Sequence, residues 1–298
     1  MCRVLVYLGR KTKLEDIVIK PSISIVKQTL FHRYGQVLNL AGFGLSGWTN
    51  DSSELLVYKS LDLPFFDRNL ESICRVFQST SFLAHIRGVE LTTESIVSEA
   101  NIHPFISQDQ TISFAHNGFI YGFENIKKDL LKYIKDQYLR RIHGTTDSEY
   151  LFALLMSQLK SSNDLVDEYI ATEAIKSVID IIKRVRRKNN ITIPSAMNLF
   201  ISHRDHVITT RYVFDYGRIH PNQGEPQASY QSMWYTLGHE FQPYQDDYQM
   251  SKGPIQSLIV SSEPLTKNTT SWLQVPSYSM LYASQVNGQI QYSIIELD

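Results

Sequence analysis

The sequence of 298 residues has little net charge, few cysteines and no long apolar run. Its 29 basic and 30 acidic residues give a formal charge of -1, so no overall field would draw the chain to nucleic acid or to an anionic membrane. The apolar run nearest the N-terminus, Val4–Leu8, is far shorter than a signal-peptide core or a membrane span of about 20 residues. Composition therefore favours a cytoplasmic protein that acts on small molecules.

The two cysteines are too few for a disulfide framework, and they occur in different contexts. Cys74 shares helical spacing with Leu70 and Phe77, which predicts a core position. Cys2 directly follows the initiator methionine, and loss of that methionine would leave a thiol and a free α-amine on one residue. Because the reference pKa values are about 7.7–8.0 for the amine and about 8.5 for the thiol, the amine can accept the thiol proton near neutrality. Cys2 is thus a candidate nucleophile with its own base.

Hydrophobic periodicity predicts strands in the first and last thirds of the chain and helices in the middle. Strands are predicted at 3–9, 42–48, 54–60, 80–88, 110–118, 196–213 (two strands), 257–265, 279–285 and 288–297, and helices at 69–78, 123–142, 145–160 and 164–188. The segments 215–227 and 238–254 have loop-like composition. No fixed-period repeat or linker is evident, so one domain over residues 1–298 is the simpler interpretation.

Several familiar site types are missing from the sequence. There is no GxxxxGK[ST] phosphate loop, and the glycines of 42–47 precede a strand and not a helix. The stretches "HRDH" and "GHEF" lack the HExxH spacing that places two metal ligands on one helical face. The basic run Lys183–Lys188 is typical of a solvated helix end, and without interleaved aromatics it does not favour nucleic-acid binding. No metal and no cofactor are predicted.

Six stretches in order, "MCRVLVYLG", "AGFGLSGW", "LAHIRG", "NIHPF", "FAHNGFI" and "TTDSEYL", resemble the class II glutamine amidotransferases of the N-terminal-nucleophile hydrolase superfamily. The later stretches "MNLFISHRDHVI" and "SLIVSSEPLT" are similar to stand-alone members, including the γ-glutamyl amidohydrolase of ergothioneine biosynthesis. The resemblance covers nearly the whole chain. It implies an α+β fold, a four-layer αββα sandwich of two antiparallel sheets.

The resemblance also implies a role for five residues. Cys2 is the expected nucleophile after removal of Met1, and Asn117 and Gly118 are the expected oxyanion hole. Arg87 is expected to bind the substrate α-carboxylate in a bidentate pair, and Asp147 to bind its α-ammonium. His103 and Pro104 are expected to brace the site, and Trp48 to pack near the pocket without touching substrate.

The implied reaction is hydrolysis of a γ-glutamyl amide bond, in glutamine or a γ-glutamyl compound, through a thioester and without a cofactor. Nothing after residue 160 resembles a synthetase module, which leaves two alternatives: a plain hydrolase, or a donor of ammonia to a separate subunit. A third alternative is a catalytically silent module that senses glutamine-like ligands. Segments 31–40 and 214–254 are the candidates for loops that choose the leaving group.

Overall fold

The computed structural model describes residues 2–31, 38–49, 54–88, 97–215 and 232–297. Met1, residues 32–37 of the predicted loop segment 31–40 and residues 216–231 of the segment 214–254 lie outside the described residues. The strands are β1 Arg3–Lys13, β2 Phe43–Trp48, β3 Leu55–Ser60, β4 Gln78–Ile86, β5 Phe105–Ile106, β6 Ser113–Phe119, β7 Ser195–Ser202, β8 His206–Arg211, β9 Val213–Phe214, β10 Trp234–Gly238, β11 Phe241–Tyr244, β12 Asp247–Met250, β13 Ser257–Ser261, β14 Leu273–Gln274, β15 Ser279–Val286 and β16 Gln289–Glu296. The α-helices are α1 Glu15–Val18, α2 Arg68–Val76, α3 Phe123–Leu130, α4 Asp136–Leu139, α5 Asp147–Gln158 and α6 Glu168–Lys188.

Two large antiparallel sheets form the centre of the fold. The first, called the N-terminal sheet, has the strand order β14-β10-β13-β1-β4-β2-β3, and the second, called the C-terminal sheet, has the order β16-β15-β8-β7-β6-β5, with β9 paired to β7. Strand β1 lies between β4 and β13, with Arg3 opposite Ile86 and Leu5 opposite Ser261. The start of β1 therefore lies beside the ends of β4 and β13.

Alternation along the strands divides the apolar side chains into three clusters. On β1, Val4, Val6 and Leu8 belong to a cluster between the two sheets, whereas Leu5 and Tyr7 belong to one that includes residues of α1 and α2. The third cluster joins the outer face of the C-terminal sheet to α3, α5 and α6. The three clusters make four layers, helices, sheet, sheet and helices, which confirms the predicted αββα sandwich.

The helical layer departs from the prediction where tertiary hydrogen bonds compete with helical ones. The helix predicted at 123–142 is divided into α3 and α4 by a short 3₁₀ turn. The helix is interrupted because Lys135 is extended and its N–H donates to Ser157 Oγ at 3.0 Å. The helix predicted at 164–188 begins at Glu168, where the Asp167 carboxylate accepts from the N–H of Ile170. No helix in the described ranges is both long and apolar enough to cross a membrane.

One further prediction was wrong, and another holds only in part. Within the segment predicted as a loop at 238–254, β11 and β12 form a hairpin, which buries Phe241 and Met250 against the N-terminal sheet. In the basic run that was predicted to be solvated, Arg186 is fully buried and donates to Ser195 Oγ and, at 2.5 Å, to the Ile193 carbonyl. Only part of this helix end therefore faces water.

Gly44 of β2 allows another backbone segment to approach closely, as the glycine-rich pattern of that strand predicts. A Cβ at this position would lie 1.8 Å from the carbonyl oxygen of His103. Glycine is required here because a side chain would overlap a backbone atom of the segment that leads into β5.

We expect Gly44→Ala to lower the free energy of unfolding by about 3 kcal/mol or more, because the new methyl overlaps a backbone atom. Gly288→Ala is the matched control, since its Cβ meets nothing within 4 Å and only its φ of +74° is unfavourable for alanine. That control should cost about 1–2 kcal/mol. Urea unfolding of both variants measures the difference, and equal losses would contradict the close approach.

Candidate active site

The candidate site lies between the two sheets, at the end of the sandwich where β1 begins. Val4 of β1 and Leu83 of β4 belong to the apolar cluster between the sheets. By strand alternation, Cys2 lies on the same face as Val4, and Arg87 lies on the same face as Leu83. Asn117 of β6 shares its face with Ala115, which belongs to the same cluster. Strand alternation thus points three of the predicted residues into one space.

A hydrogen bond between the sheets joins Asn117 to the end of β13. The Asn117 amide Nδ2 donates to Ser262 Oγ at 2.9 Å, and the N–H of Val4 donates to the same oxygen at 3.0 Å. Ser262 also donates its own N–H to the Val4 carbonyl at 2.9 Å. The predicted oxyanion donor is therefore connected through one hydroxyl to the residue two positions after Cys2.

Cys2 lies against the segment that follows β4. The N–H of Gly88 donates to Cys2 Sγ at 3.4 Å, and Cys2 Sγ lies 3.7 Å from the Gly88 carbonyl oxygen. The Cys2 carbonyl accepts from Arg3 Nη1 at 3.0 Å. The thiol is partly exposed, whereas Cys74 is fully buried in α2 and burial raises its pKa to about 12. Of the two thiols, only Cys2 is placed to react with a substrate.

Arg87 supplies the positive charge of the site. Its side chain is 7% exposed, and its backbone is fixed by hydrogen bonds to Gly42 and Ala41. Burial lowers the pKa of Arg87, while Cys2 and the Asp147 carboxylate act to raise it. The guanidinium thus interacts electrostatically with both the predicted nucleophile and the predicted ammonium-binding carboxylate.

Asp147 is the first residue of α5, and Thr146 and Glu149 flank it at the spacing of a capping box. The Thr146 hydroxyl accepts from the N–H of Glu149 at 3.4 Å, so half of such a box forms. The Glu149 carboxylate instead accepts from the N–H groups of His143 and Gly144. Asp147 Oδ2 accepts from the N–H of Ile120 at 2.7 Å, which ties the start of α5 to the end of β6.

A buried histidine reinforces that connection. His116 Nε2 lies 3.1 Å from the Ala196 carbonyl oxygen and Nδ1 lies 3.0 Å from Ser148 Oγ, which is 3.2 Å from Asp147 Oδ1. Burial lowers the pKa of His116, with Asp147 acting in the opposite direction. Since a carbonyl only accepts, the neutral ring carries its proton on Nε2, and Nδ1 is an acceptor for the Ser148 hydroxyl.

Gly118 leaves room for a close approach of its neighbours. A Cβ there would lie 2.1 Å from the Ala196 carbonyl oxygen and 2.7 Å from His116 Nε2. The missing side chain therefore makes room for β7 and for the histidine. The role of its N–H in an oxyanion hole stays a prediction.

Two more buried histidines lie next to Arg87. The rings of His85 and His103 have centroids 4.1 Å apart, and burial lowers both pKa values well below the ordinary value. Their ring nitrogens have no hydrogen-bond partner among the described residues. Within the described ranges no group of three His, Cys, Asp or Glu side chains could hold a metal ion.

The expected position of Trp48 was wrong. Trp48 is buried, but it pairs with Ser81, whereas the site adjoins the opposite end of β2, where Phe43 pairs with Ile86. Trp48 therefore packs the far end of the sandwich.

A buried ion pair supports the site from the helical side of the N-terminal sheet. Arg3 Nη2 lies 2.6 Å from Glu263 Oε1, and Arg3 Nε donates to the same oxygen at 2.7 Å. Both side chains are at most 1% exposed. Because Arg3 Nη1 also donates to the Cys2 carbonyl, this pair fixes the backbone of the predicted nucleophile.

A family model agrees with this arrangement. The model described as "Glutamine amidotransferases class-II" matches residues 23–219, two thirds of the chain. The chain belongs to the class II glutamine amidotransferases. Arg87, Asn117, Gly118 and Asp147 lie within the matched range, and Cys2 precedes it.

Individual relatives extend the match along the chain. The chain is 28% identical to the probable glutamine amidotransferase DUG3 of Saccharomyces cerevisiae, over 94% of this chain and 81% of that protein. A second match, 40% identical to an uncharacterized protein of Methanocaldococcus jannaschii, covers 28% of this chain and 21% of that one.

Solved structures share the fold. A glutamine aminotransferase class-II domain protein from Silicibacter pomeroyi aligns with a TM-score of 0.63 and 21% identity, over 99% of this chain and 100% of that chain. The glutamine phosphoribosylpyrophosphate amidotransferase of B. subtilis aligns with a TM-score of 0.55 and 16% identity, over 100% of this chain and 49% of that chain.

Sequence reasoning missed the residues that support the predicted site. Ser262 and Glu263 lie in "SLIVSSEPL", a stretch that was predicted to be a strand and that resembles stand-alone amidotransferases. No role was predicted for its polar residues. His116 directly precedes Asn117, and Ser148 directly follows Asp147. Each missed residue is thus a neighbour of a motif, but its partner is distant in sequence.

We expect Glu263→Gln to lower the free energy of unfolding by about 3–5 kcal/mol, because it removes the carboxylate charge that faces the buried Arg3 guanidinium at 2.6 Å. The control is Glu71→Gln in the exposed Arg75–Glu71 pair of α2, which should cost less than about 1 kcal/mol. Chemical denaturation measures both. A Glu263→Gln variant as stable as the control would show that the ion pair is dispensable.

Proposed function

We propose that the chain hydrolyses a γ-glutamyl amide bond, in glutamine or in a γ-glutamyl peptide, through a thioester on Cys2. The observation that carries the proposal is the convergence of Cys2, Arg87 and Asn117 on the space between the sheets, with Asp147 in electrostatic contact with Arg87. Membership of the class II glutamine amidotransferases supports amide hydrolysis as the general chemistry.

The reaction begins when removal of Met1 frees the α-amine of Cys2. The amine takes the thiol proton, and the thiolate attacks the γ-carbonyl carbon of the substrate. The carbonyl oxygen becomes negative in the tetrahedral intermediate, where the Asn117 amide and the Gly118 N–H are the proposed donors. The amine is the proposed base, and His116 is not assigned that role, because its two ring nitrogens already contact Ser148 and Ala196.

Two bond cleavages complete the cycle. The carbon–nitrogen bond breaks first, and the leaving amine takes its proton from the α-ammonium of Cys2, which leaves a γ-glutamyl thioester. A water molecule then gives a proton to the regenerated amine and attacks the thioester carbon. The second intermediate expels the Cys2 thiolate and releases glutamate, and the ammonium returns the proton to sulfur.

Substrate recognition is assigned to the two charges of the site. The Arg87 guanidinium presents a planar fork that suits a carboxylate, and Asp147 keeps acceptor sites beyond the one that receives the N–H of Ile120. A free amino-acid head held by both charges would leave its γ-carbonyl near Cys2. The proposed substrates therefore carry an unblocked α-carboxylate and an unblocked α-amine.

We expect a glutamine-mimicking electrophile to label Cys2 and to leave Cys74 unmodified, because Cys74 is fully buried and burial raises its pKa to about 12. Intact mass and peptide mapping of the active protein decide this, with Cys2→Ser as the unlabelled control. Full amidase activity in protein that retains Met1 would contradict the amine base. Labelling confined to Cys74 would contradict the nucleophile.

We expect Arg87→Lys to lower kcat/KM for γ-glutamyl substrates by about 10²-fold, a few kcal/mol, because lysine keeps the charge but loses the planar fork. Arg75→Lys, in the exposed pair on α2, is the matched control and should leave kcat/KM unchanged.

The same assay with N-acetylated and α-amide derivatives tests the substrate class. Wild-type rates on blocked compounds equal to those on unblocked ones would remove Arg87 and Asp147 from recognition. Tight glutamine binding without turnover of any γ-glutamyl compound by correctly processed protein would favour a sensor instead of an enzyme. Preference for a γ-glutamyl peptide over glutamine would favour a stand-alone hydrolase over an ammonia donor.

A further inference from the structure

The side chain of Ser262 makes hydrogen bonds to both sheets. It directly follows β13 and is fully buried. Its N–H donates to the Val4 carbonyl, and its side-chain oxygen accepts the Val4 N–H at 3.0 Å in place of a backbone carbonyl. The hydroxyl thus extends the pairing of β13 with β1 by one residue, to Val4, two positions after Cys2.

The same oxygen also receives the Asn117 amide from the opposite sheet at 2.9 Å. An amide nitrogen carries two hydrogens. With one committed to Ser262, the plane of the amide is fixed and the other hydrogen is directed away from Ser262. The amide oxygen of Asn117 is buried and has no hydrogen-bond partner within the described residues, so Ser262 provides the one hydrogen bond that holds this side chain there.

We propose that Ser262 is a positioning residue for the reaction: its hydroxyl orients the Asn117 amide so that the second N–H meets the oxyanion that forms above Cys2. This inference rests on the proposed function. Ser262 touches neither the substrate nor the thiol, and it acts only through Asn117 and through the backbone of Val4.

Two other contacts between the sheets provide a comparison. Ser46 Oγ lies 2.6 Å from Ser113 Oγ, and Ser81 Oγ lies 3.0 Å from Ser202 Oγ, with all four residues fully buried. Ser113 is on β6, the strand that also carries Asn117. Ser113→Ala therefore removes a buried hydroxyl from the same strand and the same interface without touching the Asn117 amide.

The test is a double-mutant cycle on kcat and KM for glutamine. Asn117→Ala is expected to lower kcat by about 10²–10³-fold. Ser262→Ala should lower kcat by about 10-fold or more with KM changed by less than about 3-fold, because an interaction made only in the transition state is weakened. In the Asn117→Ala background, Ser262→Ala should change kcat by less than about 2-fold, since the two residues act as a unit.

The control separates positioning from stability. Ser113→Ala should lower the melting temperature by an amount comparable to Ser262→Ala while leaving kcat within about 2-fold of the wild type. Where Ser262→Ala does not yield folded protein, Ser262→Cys takes its place, assayed under reducing conditions. Its thiol fills the site but is a weaker acceptor, so a smaller loss of kcat in the same cycle is expected.

Three results would overturn the inference. One is an unchanged kcat in folded Ser262→Ala or Ser262→Cys, and another is a kcat loss that multiplies fully with that of Asn117→Ala. The third is an equal kcat loss in Ser113→Ala. By contrast, an inactive wild type with Met1 removed, or an Asn117→Ala variant with full activity, would refute the proposed function itself, and the inference with it.

Discussion

The buried ion pair between Arg3 and Glu263 is the constraint on which the candidate site depends. A charge at such a position is costly to bury unless it is paired and hydrogen-bonded, so the sequence must supply both partners together. Arg3 Nε and Nη2 meet one oxygen of Glu263, and Nη1 holds the Cys2 carbonyl. A chain end is normally the least ordered part of a domain. Here the residue that directly follows Cys2 is anchored by a fully buried ion pair.

Strand alternation places consecutive residues on opposite faces of that sheet, both at Cys2 and Arg3 and at Ser262 and Glu263. Arg3 and Glu263 face the helices, whereas Cys2 and Ser262 face the space between the sheets. Ser262 in turn binds the Asn117 amide of the C-terminal sheet. Glu263 thus holds the backbone beside the predicted nucleophile through Arg3, and the adjacent Ser262 holds the predicted oxyanion donor. Sites built on paired strands are held more precisely than sites built on loops.

The parts of this structure that could be predicted are those encoded by local patterns. Periodicity located β1, but not its extension to Lys13, because the strand becomes polar after a register shift between Leu8 and Thr12. The hairpin β11–β12 was missed because it buries few of its side chains, and two apolar residues make no detectable period. Motif order identified the predicted site residues. The hydrogen bond from Asn117 to Ser262 joins positions 145 apart, and no pattern along the chain indicates such a partner.

The charge balance of the site follows from which histidines can ionise. Burial lowers the pKa of His116, and lowers the pKa values of His85 and His103 further, so all three rings are neutral near pH 7. If any of them were protonated, the site would carry excess positive charge beside Arg87 and would favour a simple anion. With neutral rings, the charged side chains among the five predicted site residues are Arg87 and Asp147, which interact with each other. A pair with one charge of each sign complements a zwitterion, and the amino-acid head of the proposed γ-glutamyl substrate is a zwitterion.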